Sequence, residues 1–331
     1  MNLIVGIFLS IFLGLTPMAL YAVVLTWFDR YEREPLWLMV AVFLWGAVVA
    51  AGSAYLLNTL FGITVFAITD SEAAANVGAA VISAPIVEET VKGAAVLAVY
   101  LYFRHEFDSL LDGIIYGSLV GFGFAATENV NYIFGGFAEA GFGGAVIVTI
   151  IRAIGIAFLH ATLTSCTGLG FAVLRLNRAA WRFLAPPVGY GAAVFFHALH
   201  NGLASLGEPL LCFVGLVLDW VGFLGLFAFI LFLVWREGNI MRDYLREEVS
   251  AGQISAAQYA TACSLTGQFS ARWRGLAGGD WGRAGKFYDL LGELAFKKYQ
   301  LARRGMAKER GAPERIQQLR GEIAAMSRSG T

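Results

Sequence analysis

The chain has 331 residues, of which 58% are hydrophobic and 15% charged, against about 45–50% and about 25% in an ordinary soluble domain. That composition excludes a water-facing globule and fits a protein whose exterior lies in hydrocarbon. The net charge of zero conceals a division, because residues 1–235 hold 8 Lys and Arg against 14 acids while residues 236–331 hold 16 against 10.

In chain order, stretches long enough to cross about 30 Å of hydrocarbon are Leu3–Trp27, Leu36–Leu60, Ala79–Phe103, Leu110–Phe134, Ala145–Leu174, Phe183–Leu206 and Pro209–Trp235. The first has no basic residue ahead of it and no A-x-A site, so it reads as a span and not as a cleaved signal peptide. Basic residues follow alternate spans: Arg30 and Arg33, then Arg104, then Arg175, Arg178 and Arg182, then Arg236, Arg242 and Arg246. The intervening loops Phe61–Gly78, Gly135–Gly144 and Ser205–Glu208 contain no Lys or Arg. Since Lys and Arg collect in cytoplasmic loops, seven spans with the N-terminus outside and the C-terminus in the cytosol are expected.

The expected architecture is therefore all-α: a polytopic membrane domain over residues 1–235 and a small helical cytoplasmic tail over 236–331. In the tail, charged and apolar residues alternate at helical spacing, as in MRDYLREEV and LAFKKYQLARR, with breaks at Gly275, Gly278 and Gly279. The tail reads as a solvated helical unit, with a lipid-headgroup or regulatory contact as the alternative. Cys166, Cys212 and Cys263 form no CxxC pair and no disulfide framework.

Charged side chains inside spans cost about 2.5–3.5 kcal/mol each on insertion scales, so a group of them needs a reason. The third span holds Glu88, Glu89 and Lys92, with Lys92 at i+4 and i+3 from the two acids. A structural ion triad is one reading. Two acids sharing one base is also how a glutamate is prepared as a general base. The fourth span carries Gly113, Gly117 and Gly121 at four-residue steps, a stripe that lets helix backbones approach. Glu128 continues that stripe and should face a helix. The fifth span adds Arg152 and His160, with Thr164 one turn on. The sixth adds His197 and Asn201 on one face, and His200 as a satisfied hydrogen-bonding residue. Counted from the outer ends at about 1.5 Å per residue, Glu88, Glu128, Arg152 and His197 fall in one layer in the outer half of the membrane, with His160 deeper.

These residues resemble the PrsW family of intramembrane proteases, within the larger group that includes the CAAX prenyl endopeptidases and the bacteriocin-immunity membrane proteases. The resemblance rests on Glu88-Glu89-x-x-Lys92 after Ala84-Pro85, on Asp112-Gly113 followed by Gly121 to Asn129, on Arg152 with His160, and on His197-x-x-x-Asn201. The segment Asp29–Pro35 looks like the family's EPL-type loop. Glu128 stands where the CAAX endopeptidases carry a histidine, which argues against prenylated substrates.

The resemblance implies peptide-bond hydrolysis in a membrane-protein or peptide substrate, for example an anti-sigma factor, in the plasma (inner) membrane of a bacterium. Carried over residue by residue, Glu88 is the general base and Glu89 and Lys92 tune its charge. Glu128 and His160 orient water or substrate, Arg152 supports them, and His197 and Asn201 donate to the oxyanion. No cofactor is expected in this reading. The alternative is a zinc site of Glu88, Glu128, His160 and His197 with an open position, although no HExxH motif is present. Ser165 and Cys166 do not share the His160 face well enough to serve as nucleophiles. A non-enzymatic transporter or scaffold with a buried ion or proton site is the competing class. It is disfavoured because the inner halves of the third and sixth spans carry no ionisable residue. The lipid bilayer is the expected surrounding, and no nucleic-acid partner is expected.

Overall fold

The computed structural model describes residues 3–29, 31, 33–264, 266–277, 281–305 and 311–328. Arg30 and Glu32 of the first basic loop, and Gly278 and Gly279 of the tail, lie outside the described residues. Among those described there are helices and turns and no strand. That is the outcome lipid demands, because a helix satisfies every backbone N–H and C=O within its own segment.

The protein is an integral membrane protein. Four helical stretches are long and apolar enough to cross a membrane by length and composition: Leu3–Thr26, Leu36–Thr69, Leu110–Leu176 and Pro209–Ser250. Two units divide the chain, one of Met1–Trp27 with Glu34–Ile230, the other of Phe28–Arg33 with Leu231–Thr331.

In the first unit, α1 (Leu3–Thr26) buries Gly6, Ser10, Gly14, Met18 and Ala22 at four-residue steps. One narrow stripe is buried and the rest of the helix presents Leu, Ile, Val and Phe outward. Next come α2 (Leu36–Leu44), a π-helical turn at Trp45–Ala50 and α3 (Ala51–Thr69), which ends on Asp70 in the left-handed region at φ 52°. Ser71 caps α4 (Glu72–Gly78), accepting from the Ala74 amide, and a second π turn at Ala79–Ser83 leads into α5 (Ala84–Tyr102). Helix α6 (Leu110–Ile150) opens on a capping box in which Ser109 Oγ accepts from the Asp112 amide and Asp112 Oδ2 accepts from the Ser109 amide. Asp112, one of the family-like motif residues, thus has a helix-initiating role. A third π turn, Ile151–Gly155, precedes α7 (Leu159–Leu176), and α8 (Ala185–Ser205) and α9 (Pro209–Ser250) follow.

The expected fourth and fifth spans are the two arms of α6 and its continuation into α7. Ala140 and Gly141 leave helical geometry, and the chain folds back so closely that a Cβ on Gly144 would sit 2.0 Å from the Gly136 carbonyl oxygen. The glycine stripe does what its spacing implied. A Cβ on Gly113, Gly117 or Gly121 would lie 2.4, 2.6 or 2.4 Å from the carbonyl oxygens of Gly168, Thr164 and His160 respectively. Helices α6 and α7 therefore touch backbone to backbone, and this contact sets His160 beside Glu128. The expected third and sixth spans form α5 and α8, which are helical but too polar to pass the test that the four stretches meet.

In the second unit, α10 (Ala256–Ala262), α11 (Gly267–Ala277), α12 (Trp281–Arg304) and α13 (Ala312–Arg328) pack with the C-terminal part of α9. Met241, Leu245, Phe287, Leu291 and Leu319 form its fully buried interior. Tyr31, from the loop after α1, belongs to this unit, and a Cβ on Gly292 would meet its carbonyl oxygen at 1.6 Å. Lys298 Nζ donates to Glu247 at 2.7 Å and to Glu248 at 2.8 Å, and Arg320 forks onto Glu248. Burial opposes ionisation of Glu248, but these donors outweigh it and hold the carboxyl below its ordinary range. Asp289 is the opposite case: burial, only partly offset by Arg33, pushes its carboxyl up to about 6.

Candidate active site

Helix α5 carries three charges on adjacent faces because Glu88, Glu89 and Lys92 are one turn apart. Lys92 is fully buried, and its three N–H donors reach Glu89 Oε1 at 2.8 Å, His160 Nδ1 at 3.0 Å and Glu88 Oε2 at 3.4 Å. The ammonium also lies 3.9 Å from the centre of the Phe124 ring, a cation–π contact that helps to hold a charge away from water. Because Lys92 donates to Nδ1, His160 carries its proton on Nε2 and presents it to Glu128 Oε2 at 2.9 Å. Arg152 Nη2 pairs with the same carboxylate oxygen. Its Nε donates to Asn129 Oδ1 at 3.0 Å while its guanidinium lies 4.2 Å over Tyr132.

Glu89 is fully buried and saturated. It accepts from Lys92, from Thr164 Oγ1 at 3.2 Å and from His197 Nδ1 at 3.0 Å. That last bond makes Nδ1 the donor to the Glu89 carboxylate and leaves Nε2 directed at Glu88, 3.8 Å from its Oε2. Nε2 is therefore the nitrogen of His197 left for the oxyanion role expected from sequence. Glu88 keeps the loosest partners. Its Oε1 accepts from Asn58 Nδ2 at 3.4 Å, and Asn58 is turned into that orientation by Ser83 Oγ, which donates to Asn58 Oδ1 at 2.8 Å.

Glu88 and Glu128 line a cleft of about 790 Å³ whose other walls are α3, α4 and the Asn131–Tyr132 turn of α6. Glu89, Lys92, His160 and His197 stand behind that surface. The structure thus brings together Glu88, Glu89, Lys92, Glu128, Arg152, His160 and His197, whereas the layer count sets His160 deeper than the others. Asn201 differs: its Nδ2 donates to the Ala80 carbonyl at 2.8 Å, inside the π turn that precedes α5. It braces the backbone before Glu88 and is not directed at the cluster. His200 Nδ1 lies 2.7 Å from Asp219 Oδ2 of α9, a partner that sequence reading overlooked. Asn58 and Phe124 were overlooked as well. The only signal for Asn58 was an isolated amide in an apolar span, which in lipid needs a partner.

A metal ion also has a plausible donor set here. Glu88, His160 and His197 each offer one ligand atom within 4.8 Å of the other two. One carboxylate with two imidazoles is a catalytic zinc set that leaves a position open. The Glu89 carboxylate behind His197 Nδ1 is the outer partner that a ligating histidine uses. The residues present fit the ion provided that His160 gives up one of its two partners, Lys92 at Nδ1 or Glu128 at Nε2.

The family model described as PrsW family intramembrane metalloprotease matches residues 34–235. Among curated proteins, a Protease PrsW from Geobacillus kaustophilus (strain HTA426) is 28% identical over 194 residues, covering 57% of this chain and 76% of that protein. A Protease PrsW from Clostridioides difficile (strain 630) is 36% identical over 106 residues, covering 32% of this chain and 42% of that protein. No solved structure is a significant match.

Proposed function

This chain belongs to the PrsW family of intramembrane metalloproteases, and from that premise we propose that it hydrolyses a peptide bond of a membrane-protein substrate with a water activated at Glu88. The observation that carries this reading is the contrast between neighbours on α5. Glu89 has its oxygens filled by three donors, whereas Glu88 faces the cleft with only long contacts at 3.4 Å. A carboxylate must have a free lone pair towards a water to take its proton.

In the step, Glu88 accepts a proton from a water in the cleft as the oxygen attacks the substrate carbonyl. The same proton then passes to the departing amide nitrogen, so no net proton is gained or lost by the enzyme. Arg152 and His160 hold Glu128 at the cleft wall, where its carboxylate orients the peptide N–H or the water. Glu89, Lys92 and Thr164 keep His197 turned so that Nε2 faces Glu88. Asn201 and Asn58 position the helix and the carboxylate of Glu88.

A second reading follows from the donor set. Glu88, His160 and His197 would hold a zinc ion, which supplies a bound water of lowered pKa and polarises the carbonyl; Glu88 is then a ligand and not the base. In both readings the membrane domain has its N-terminus outside and the tail in the cytosol of a bacterial cell. Cleavage occurs in the outer half of the membrane or just beyond it, in a single-span protein such as an anti-sigma factor. Co-expression with tagged single-span candidates tests the function. A fragment that appears with the intact chain and not with Glu88→Gln supports it, and identical patterns from both would refute it.

A further inference from the structure

We propose that Glu72 selects substrates with a cationic side chain three or four residues to the outer side of the scissile bond, an inference that rests on the peptidase reading above. The cleft follows α3 from Ala51 to Phe66, which at about 1.5 Å per helical residue is about 22 Å. That length accommodates an extended segment of about six or seven residues. Its inner end is closed by Ala51, Ala54 and Phe124, all buried. Asn58 marks the level of Glu88, to which it donates. Its outer end is at Phe66 and Glu72, both exposed, and Tyr55, Ile63 and Tyr132 leave it open along its length as well. From Asn58 to Phe66 is eight residues of helix, about 12 Å, or three to four residues of extended substrate.

Every charged side chain lining the cleft is an acid: Glu72, Glu88 and Glu128. The nearby cations are already engaged, Lys92 by Glu88 and Glu89 and Arg152 by Glu128. Glu72 itself has no ion pair among the described residues. The three segments without Lys or Arg add only more negative charge, Asp70 beside Glu72, then Glu139 and Glu208, all exposed. Like-signed charge at the mouth of a low-dielectric cleft raises the local concentration of the opposite sign and disfavours its own. A lysine or arginine of the substrate would meet Glu72 without a competitor, while an acidic residue would meet only repulsion.

The test uses the full chain in nanodiscs of neutral lipid and three single-span reporter substrates. These differ only in Lys, Gln or Glu at the fourth residue outward of the cleavage point, which mass spectrometry locates. For the wild type at low salt we expect kcat/KM to favour Lys over Glu by about tenfold, with Gln between and the preference shrinking in high salt. Glu72→Gln should bring the Lys-to-Glu ratio close to one, and Glu72→Lys should invert it. A ratio that is the same in all three enzymes, with cleavage still abolished by Glu88→Gln, would overturn the assignment of Glu72 and leave the peptidase reading standing. A Gln substrate that the wild type leaves uncut would overturn both.

Discussion

His197 Nδ1 lies 3.0 Å from Glu89 Oε1, in a pair that is almost wholly buried between α8 and α5. One bond therefore decides which nitrogen of His197 faces Glu88. With Nδ1 committed to the carboxylate, the other nitrogen, Nε2, is directed at Glu88. Glu89 is thus a positioning residue: it reaches no cleft surface but sets which nitrogen of His197 faces Glu88, the residue that does.

Glu89→Gln should lower kcat by about 10- to 100-fold with little change in KM, the usual loss when a carboxylate that orients a site histidine is replaced. The amide oxygen in the Oε1 position can still accept from Lys92 and His197, but the NH2 group in place of Oε2 cannot accept from Thr164, and the charge that faced Lys92 is gone. Glu89→Ala should be worse and should also lower thermal stability, because it leaves buried donors on Lys92, Thr164 and His197 unpaired. Steady-state kinetics alongside a melting curve in detergent separates the two effects.

Substitution of Gly121 by Leu should insert the protein into the membrane and yet inactivate it. The added Cβ alone would lie 2.4 Å from the His160 carbonyl oxygen, so α7 must move away from α6. Overpacking of this kind costs about 1–3 kcal/mol or more, and here the displaced residue is the partner of Glu128. Normal membrane fractionation with loss of cleavage is the expected result, and Gly117→Leu should behave alike.

Much of this site was legible in the sequence because its spacings are local. Glu88, Glu89 and Lys92 share one turn, and the glycines of α6 declare the face on which Glu128 lies. The roles of Asn201 and Asn58 were not legible. The i,i+4 spacing with His197 suggested that Asn201 donates to the oxyanion, but the π turn at Ala79–Ser83 offers the Ala80 carbonyl instead. Backbone irregularity of that kind leaves no periodic trace. Asn58 depends on Ser83, which is 25 residues away. The loop after the first span held a further surprise, since Phe28–Arg33 groups with the tail and not with the helices it joins.

The tail should respond to pH in two opposite ways. Glu248 has a depressed carboxyl, so its contribution is present at neutral pH and is lost as pH falls through its folded-state value. Asp289, raised to about 6, is better tolerated protonated, so the tail loses stability as pH climbs from about 4 through 6. Asp289→Asn should remove that second loss. Hydrogen exchange of α12 in the full-length protein should then be slower in the variant than in the wild type at pH 7.5, and nearly equal at pH 4.5.

A chain ended at Gly238 should still cleave a short single-span reporter, because every residue of the cluster precedes Asn201. A reduced melting temperature is expected, since Phe28–Arg33 loses the unit to which it belongs. Alkaline-phosphatase fusions should be active after Gly135 and silent after Trp235. Complete loss of cleavage in a properly inserted truncation would make the tail part of the working enzyme.

If Glu88 performs the chemistry, Glu88→Gln in purified, folded protein must lose it. Glutamine keeps the volume and the hydrogen bond from Asn58 but cannot take a proton. The account predicts a fall in kcat/KM of about 10²–10⁴ with an unchanged melting curve, and metal analysis of the same samples shows whether Glu88 acts as base or as ligand. A Glu88→Gln enzyme that still cuts its substrate at more than about a tenth of the wild-type rate would contradict the account.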